Sequence, residues 1–223
     1  MHVLHHHPLY GASRTVRLLL GERRLVHLPK LESPWDRHED FLTLNPAGDV
    51  PVLVTEDGDV LCGTMVIAEY LEETEGDEGR LIWGTAAERA EIRRLTDWFE
   101  RKFVVEVGAP LLNERYLKRV TARGNPSSEV MRAAMTNLHI HLGYIDWLAA
   151  QNPWLAGPDM ALCDLAAAAH LSVLDYFGDV NWDKHTDAKM WYMKLKSRPS
   201  FRPLLADVLV GMPPASSYSA LDF

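Results

Sequence analysis

Residues 44–54 constrain the fold of this chain more than any other segment. They read Leu-Asn-Pro-Ala-Gly-Asp-Val-Pro-Val-Leu-Val, a turn of Asn, Pro and Gly followed by a run rich in Val. Pro51 opens this predicted strand, where its missing N–H is tolerated, and we expect the peptide bond between Val50 and Pro51 to be cis. The sequence therefore predicts a strand that is entered through a tight proline turn.

A helix is predicted shortly after this strand. Thr64 is expected to be its N-cap residue, because the apolar positions that follow recur at helical spacing. These positions are Val66, Ile67, Tyr70 and Leu71. The first N–H groups of a helix lack intrahelical partners and carry the positive end of its dipole. A helix N-terminus that faces a Val-Pro turn is therefore predicted to form a site for a small anion.

Composition and charge exclude several classes of function. The chain has 223 residues, of which 47% are hydrophobic and 24% charged, as in soluble globular proteins of one or two domains. A formal net charge of −8 argues against nucleic acid or an anionic membrane as the main partner. We see no apolar run of about 18 residues and no basic-then-apolar leader, so we expect a cytoplasmic protein without membrane insertion.

The sequence pattern changes near residue 75. Residues 1–75 alternate predicted strands and helices, which indicates an α/β domain, and the acidic, glycine-bearing residues 76–85 are predicted to be a linker. Residues 86–208 are predicted to be all-helical, with the apolar residues 162–174 as a buried central helix. Residues 209–223 are predicted to be an extended C-terminal tail, because the helical pattern stops before two consecutive prolines.

These features resemble the glutathione S-transferase (GST) superfamily, which implies a thioredoxin-like α/β N-terminal domain followed by an all-α C-terminal domain. Gly157 and residues 161–165 match the capping box that opens the central helix in that superfamily. Here Ala161 stands where Ser or Thr is usual, while Asp164 is retained. Losing the cap hydroxyl costs about 1 kcal/mol, which the packing of so apolar a helix can offset.

The resemblance also implies positions for a glutathione site. In serine-type relatives the catalytic hydroxyl lies about where Tyr10 stands, and Ser13 is a second candidate. The alternative is that Tyr10 is a surface aromatic and Ser13 only caps a helix beginning at residue 14. Val50 matches the residue whose backbone pairs with the cysteinyl unit of glutathione, and Pro51 matches the cis-proline.

The pair Gly63-Thr64 departs from the superfamily pattern, which is Glu or Gln followed by Ser. Thr64 keeps the hydroxyl, whereas Gly63 leaves the ammonium group of the γ-glutamyl unit without a partner. Such an unpaired charge costs on the order of 1–3 kcal/mol, or 10- to 100-fold in affinity. We therefore expect weak or no glutathione binding, no cofactor, and a protein that is not an enzyme.

No metal site is predicted from the histidines. Residues 5–7 are three consecutive histidines of a predicted strand and point to alternate faces, so at most two of them converge. His139 and His141 have a spacing that does not face one metal ion on a helix.

Two features are predicted to contact partners. Trp35 lies in a polar loop with no apolar periodicity around it, which favours either a partner contact or packing across a dimer interface. The chain finishes on Leu221, Asp222 and Phe223, two apolar side chains beside acidic groups, which we interpret as a docking element. The alternative is that Phe223 folds back onto its own helical domain.

Four segments resemble one group within the superfamily, the alphaproteobacterial GST-like proteins that bind the tubulin-like division protein FtsZ (the FzlA group). They are residues 97–103, 170–176, 195–205 and 218–223. The resemblance implies a homodimer, with Trp98 and Phe99 as apolar interface material, that regulates FtsZ filaments at the division site and reaches further division proteins through its tail. The alternatives are a glutathione transferase acting on an unknown electrophile, and a non-catalytic stress or metabolic binder.

Overall fold

The computed structural model describes residues 1–221. A mixed four-stranded sheet with strand order β2-β1-β3-β4 forms the first part, with β1 and β2 parallel and the other pairs antiparallel. The strands are β1 (His2–His6), β2 (His27–Leu31), β3 (Val52–Val54) and β4 (Val60–Cys62). The helices of this part are α1 (Gly11–Glu22), α2 (Glu39–Leu44) and α3 (Thr64–Thr74). This arrangement confirms the predicted thioredoxin-like α/β fold.

The turn before β3 sets the register of the sheet. The Val50–Pro51 peptide bond is cis, as predicted. Leu53 in β3 is the cross-strand partner of Leu4 in β1, and both side chains are fully buried. Because a slip of one residue in β3 would turn Leu53 to the opposite face, away from Leu4, this pair specifies the register.

The second part is helical, and its last helix is shorter than predicted. Its helices are α4 (Ala86–Asp97), α5 (Ala109–Leu112), α6 (Lys118–Val120), α7 (Ser128–Gln151), α8 (Leu162–Phe177), α9 (Thr186–Lys196) and α10 (Arg202–Leu205). The segments Trp98–Gly108 and Asn113–Leu117, on either side of α5, are π-helical. α10 stops at Leu205 rather than at residue 208, because Asp207 turns back to pair with Arg17 of α1.

The central helix α8 is buried along almost its whole length, as predicted, and α1 packs against it. At its start Ala161 offers no cap hydroxyl. The Asp164 carboxylate instead accepts the N–H groups of Ala161 and Leu155, both at 2.9 Å, and the indole N–H of Trp191 at 2.8 Å. One buried carboxylate thus ties together the helix start, the preceding loop and α9.

The connection between the two parts is exposed at both ends and buried in its middle. Leu81 and Ile82, within the predicted linker, are buried in the hydrophobic core. The buried Glu72 accepts the N–H of Leu81 at 2.9 Å and pairs with Arg23 at 2.7 Å. None of the helices in residues 1–221 is long and apolar enough to cross a lipid bilayer.

Candidate functional site

The predicted anion site lies where the cis-proline turn meets the start of α3. Gly63 donates its N–H to the Pro51 carbonyl at 3.0 Å and, with φ of 89°, is itself the N-cap residue. The prediction that Thr64 is the N-cap is therefore wrong, because the chain enters the helix one residue earlier. Thr64 is the first helical residue, and its hydroxyl is buried without a hydrogen-bond partner among the described residues.

This arrangement offers hydrogen-bond donors to a small anion. An unsatisfied buried hydroxyl costs about 1–3 kcal/mol, so the Thr64 hydroxyl and the first N–H groups of α3 together favour a bound carboxylate. Among residues 1–221, apart from the neighbours Cys62 and Thr64, no heavy atom lies within 4 Å of the point where a Gly63 side chain would begin. The space that an acidic or amide side chain would occupy at this position is therefore open.

The structure separates the two candidate hydroxyls. α1 begins at Gly11 with Tyr10 as its N-cap residue, so Ser13 is not the cap. Ser13 is fully buried, and its hydroxyl oxygen accepts the N–H of His7 at 3.2 Å, which is a structural role. Burial, together with nearby Tyr116, raises the pKa of Tyr10 to about 12. Tyr10 therefore stays protonated at neutral pH, where it is able to donate its O–H but not to ionise.

Tyr10 also lines an apolar cavity between the two parts of the molecule. The cavity measures about 120 Å³, and its walls include Leu112 and Val173. At its edge a Cβ on Gly11 would lie 2.0 Å from His170 Nδ1, so only glycine fits there. Ligand pockets for drug-sized molecules measure roughly 300–1,000 Å³, so this cavity holds little more than a small fragment. The sequence gives no signal of it, because its walls come from three separate segments, residues 9–12, 104–112 and 170–174.

Comparison with known proteins identifies the family. Residues 12–74 match the N-terminal domain of glutathione S-transferases. FtsZ-localized protein A of Caulobacter vibrioides is 51% identical over 223 residues, which cover 99% of this chain and 97% of that protein. The chain belongs to the FtsZ-localized protein A family.

Solved structures agree with this relationship. FzlA from C. crescentus superposes with a TM-score of 0.96 at 50% identity, covering 100% of this chain and 99% of that one. A glutathione S-transferase from Rhodospirillum rubrum has a TM-score of 0.96 at 48% identity and full coverage of both chains. Glutathione S-transferase GstB of Escherichia coli is 25% identical over 209 residues, covering 88% of this chain and 96% of that protein. The FtsZ-localized protein A family thus lies within the GST superfamily.

Trp35 belongs to an aromatic cluster that joins the two parts of this family member. Its ring lies 5.1 Å from that of His7 and 5.6 Å from that of Tyr116, centroid to centroid. The sequence predicts a polar loop with an isolated aromatic. It misses both ring partners, because they are distant from Trp35 in the sequence. Trp35 is only partly buried, so one side of it is still accessible.

The segment after α10 makes turns and does not run fully extended. The Tyr176 hydroxyl accepts the N–H of Leu209 at 3.0 Å and donates to the carbonyl of Met212 at 2.6 Å. Tyr218 is fully buried and was missed, since it stands among serines in the sequence. Of the predicted docking residues, Leu221 is 46% exposed, while Asp222 and Phe223 lie outside the described residues.

Two of the histidines singled out in the sequence, His5 and His141, make contacts within the fold. His5 Nδ1 lies 2.7 Å from the carboxylate of Glu32, and the buried His141 lies between the Glu106 carboxylate and the indole N–H of Trp98. In residues 1–221, no group of three or more His, Cys, Asp or Glu side chains is placed to hold a metal ion.

Proposed function

We propose that this protein binds FtsZ filaments and regulates constriction during bacterial cell division, without transferase chemistry. The identity of 51% to FtsZ-localized protein A across 99% of the chain carries the proposal. The open space at Gly63 supports it independently, because a protein that depends on glutathione would lose 10- to 100-fold in affinity there. The place of action is then the cytoplasm at the division site.

Co-sedimentation with FtsZ tests this function. Filaments of Caulobacter vibrioides FtsZ assembled with GTP should carry the protein into the pellet, whereas unassembled FtsZ should leave it in the supernatant. Trp35→Ala should weaken this binding, because a partly exposed aromatic is the kind of side chain that anchors interfaces. Trp154→Ala removes another partly buried tryptophan, from the helical part, and should leave binding unchanged. Failure of the unmodified protein to pellet with filaments would refute the proposal.

Glutathione should bind weakly or not at all. Titration calorimetry is expected to give no saturable heat at micromolar glutathione, since only the carboxylate end of the ligand finds partners. Thr64→Val keeps the shape of the side chain and removes the buried hydroxyl, so any residual affinity should fall further. A dissociation constant in the low micromolar range would instead favour a transferase.

A glutathione transferase is the second candidate function, and one observation favours it. Tyr10 keeps its proton at neutral pH and lines the apolar cavity, where its O–H is able to stabilise a thiolate. If turnover of a generic electrophile is detected, Tyr10→Phe should abolish it. Ser13→Ala should affect only stability, because Ser13 is fully buried.

We also propose that the protein is a homodimer. Phe99 is fully buried and does not offer interface surface, contrary to our expectation from the sequence. Trp98 instead packs against Tyr144, whose ring stacks on that of Trp147, at centroid distances of 4.8 and 6.1 Å. Trp147 and Ile140 are 59% and 66% exposed, so this helical face presents apolar and aromatic surface of the type found in interface cores.

Equilibrium sedimentation at micromolar concentration should therefore give about 50 kDa, twice the mass of the 25.2 kDa chain. Trp147→Glu places a charge on the exposed face and should shift the equilibrium to the monomer. A monomer for the unmodified protein at that concentration would contradict the proposed dimer.

A further inference from the structure

Two histidines of the helical part meet outside the candidate site. Nδ1 of His139 on α7 lies 3.4 Å from Nε2 of His185, the residue before α9. The ring planes are inclined by 29°, with centroids 5.7 Å apart. Neither residue contributes to the FtsZ-binding proposal or to the predicted anion site.

The separation of the two nitrogens matches a shared metal ion. Zinc–nitrogen bonds measure about 2.0–2.1 Å, and a tetrahedral angle between two such bonds places the nitrogens roughly 3.3–3.4 Å apart. We propose that His139 and His185 form a two-histidine site for a divalent transition-metal ion such as Zn²⁺, with water completing the coordination. The ion would replace the proton that the two rings share in its absence.

Both ligands are held before the ion arrives. The backbone of His185 donates its N–H to the Trp182 carbonyl and accepts the N–H of Lys189, each at 2.9 Å. His139 stands within the 24 residues of α7, and it is exposed, so an ion reaches it from solvent. Ligands on rigid elements lose little freedom when they bind a metal.

A carboxylate links the two helices at the same place. Asp146 of α7 accepts the N–H of Ala188 in the first turn of α9, at 3.0 Å. The negative charge of Asp146 favours a cation beside the His185 ring, whereas the positive charge of Lys184 disfavours one.

The spacing of His139 and His141 on one helix argues against a metal site formed by that pair, and it conceals the pair formed by His139 and His185. The second ligand comes from a segment 46 residues away, brought close only when α9 packs on α7. A spacing rule confined to one helix does not detect such a partner.

Calorimetric titration of the full chain with zinc chloride tests the site. We expect one equivalent of Zn²⁺ to bind, and His139→Ala to weaken binding at least tenfold, because a single imidazole remains. His139 is exposed, so this variant should fold normally. The matched control is His38→Ala, which removes another exposed histidine and should bind as the unmodified chain does. Absence of saturable binding, or equal binding by His139→Ala, would overturn the proposal.

Long-range ¹H–¹⁵N spectra of the imidazoles identify the atoms involved. The chain has ten histidines, and Zn²⁺ should shift Nδ1 of His139 and Nε2 of His185 while leaving the buried strand histidines unchanged. Saturating Zn²⁺ should also raise the melting temperature of the unmodified chain and not that of His139→Ala, because an ion that binds only the folded state stabilises it. Shifts at other histidines alone would place the ion elsewhere and reject this site.

Discussion

A chain that ends at Ser217 should be about 3–5 kcal/mol less stable than one that ends at Ser219, because only the longer chain keeps Tyr218. The Tyr218 ring is fully buried, and its hydroxyl accepts a hydrogen bond from Arg14 at 2.7 Å and donates one to the Leu204 carbonyl at 2.9 Å. One tail residue thus contacts α1 of the N-terminal part and α10 of the helical part.

The size of this effect follows from the burial of Arg14. Its guanidinium group is fully buried, donates to Ser172 at 2.8 Å and to the Pro8 carbonyl at 2.5 Å, and lies over the rings of Tyr176 and Tyr218 at 5.7 Å. Loss of Tyr218 removes a hydrogen bond of this cation, which costs about 1.5–3 kcal/mol, and the burial of an aromatic ring, which costs roughly as much again. Asp207, 3.7 Å from Arg14, remains as its charge partner, so the total is about 3–5 kcal/mol. At this chain length the melting temperature should fall by roughly 10 °C.

Thermal and urea unfolding of both truncated chains measure the difference. The free energy of unfolding of the chain ending at Ser219 should lie within about 1 kcal/mol of that of the full chain, since Leu221 is half exposed. Tyr218→Phe keeps the ring and removes the hydroxyl, so an intermediate loss of about 1–3 kcal/mol is expected. Equal stability of the two truncated chains would show that Tyr218 is not what anchors the tail.

The same pair of chains separates folding from docking. If residues 220–223 bind a further division protein, the chain ending at Ser219 should lose that binding while it keeps its melting temperature. The sequence alone suggests the cut at Ser219, but it gives no reason to choose the matching cut at Ser217, because nothing in it distinguishes Tyr218 from its serine neighbours.

Features with local causes were predictable from the sequence. The cis-proline turn, β3 and α3 follow from turn residues and helical spacing within about twenty positions. The burial of α8 follows from its composition alone. The resemblance to the GST superfamily rests on these same segments, and the fold prediction is confirmed. The resemblance to the FzlA group rests on residues 97–103, 170–176, 195–205 and 218–223, and it is confirmed by the identity to FtsZ-localized protein A.

Features with non-local causes were not predictable. Arg14 reads as one more charged residue of an amphipathic helix, yet it bonds a tyrosine 204 residues away and is fully buried. Trp35 reads as an isolated aromatic, because the residues that cover it, His7 and Tyr116, come from β1–α1 and from the helical part. Thr64 shows that prediction is limited even within a local motif. The N-cap is Gly63 rather than Thr64, so the Thr64 hydroxyl does not cap the helix and has no hydrogen-bond partner among residues 1–221.

Acidification from pH 7 to pH 5 should destabilise the protein by about 2–3 kcal/mol. His6 and His7 are 6% and 2% exposed, and burial lowers the pKa of each to about 4, helped by Arg17 beside His6 and by Arg14 beside His7. Their pKa values in the unfolded chain are near 6.5. Between pH 6.5 and pH 4 the unfolded chain therefore binds more protons, and the stability that these rings contribute is present above pH 6.5 and lost as the pH falls toward 4.

Asp164 opposes this trend. Burial raises its pKa to about 6 despite three N–H donors, so its folded form takes up a proton before its unfolded form does. That group stabilises the fold as the pH falls below 6. Between pH 7 and pH 5, protonation of each histidine lowers the free energy of unfolding by roughly 2 kcal/mol, while protonation of Asp164 raises it by roughly 1 kcal/mol. The sum is the net loss of about 2–3 kcal/mol.

Substitution of the histidines shows which groups cause the loss. His7→Asn retains an acceptor for the Leu9 N–H, which His7 Nδ1 accepts at 3.2 Å, and His6→Leu replaces a buried ring whose Nδ1 has no partner among residues 1–221. The free energies of unfolding measured with urea at pH 7 and pH 5 should differ by roughly 2 kcal/mol less in each variant than in the unmodified chain. His38→Ala, at an exposed site, should retain the full pH dependence. With both buried histidines replaced, only Asp164 remains of the three groups, and stability should then rise slightly on acidification. A persistent loss in the double variant would assign the pH dependence to other groups.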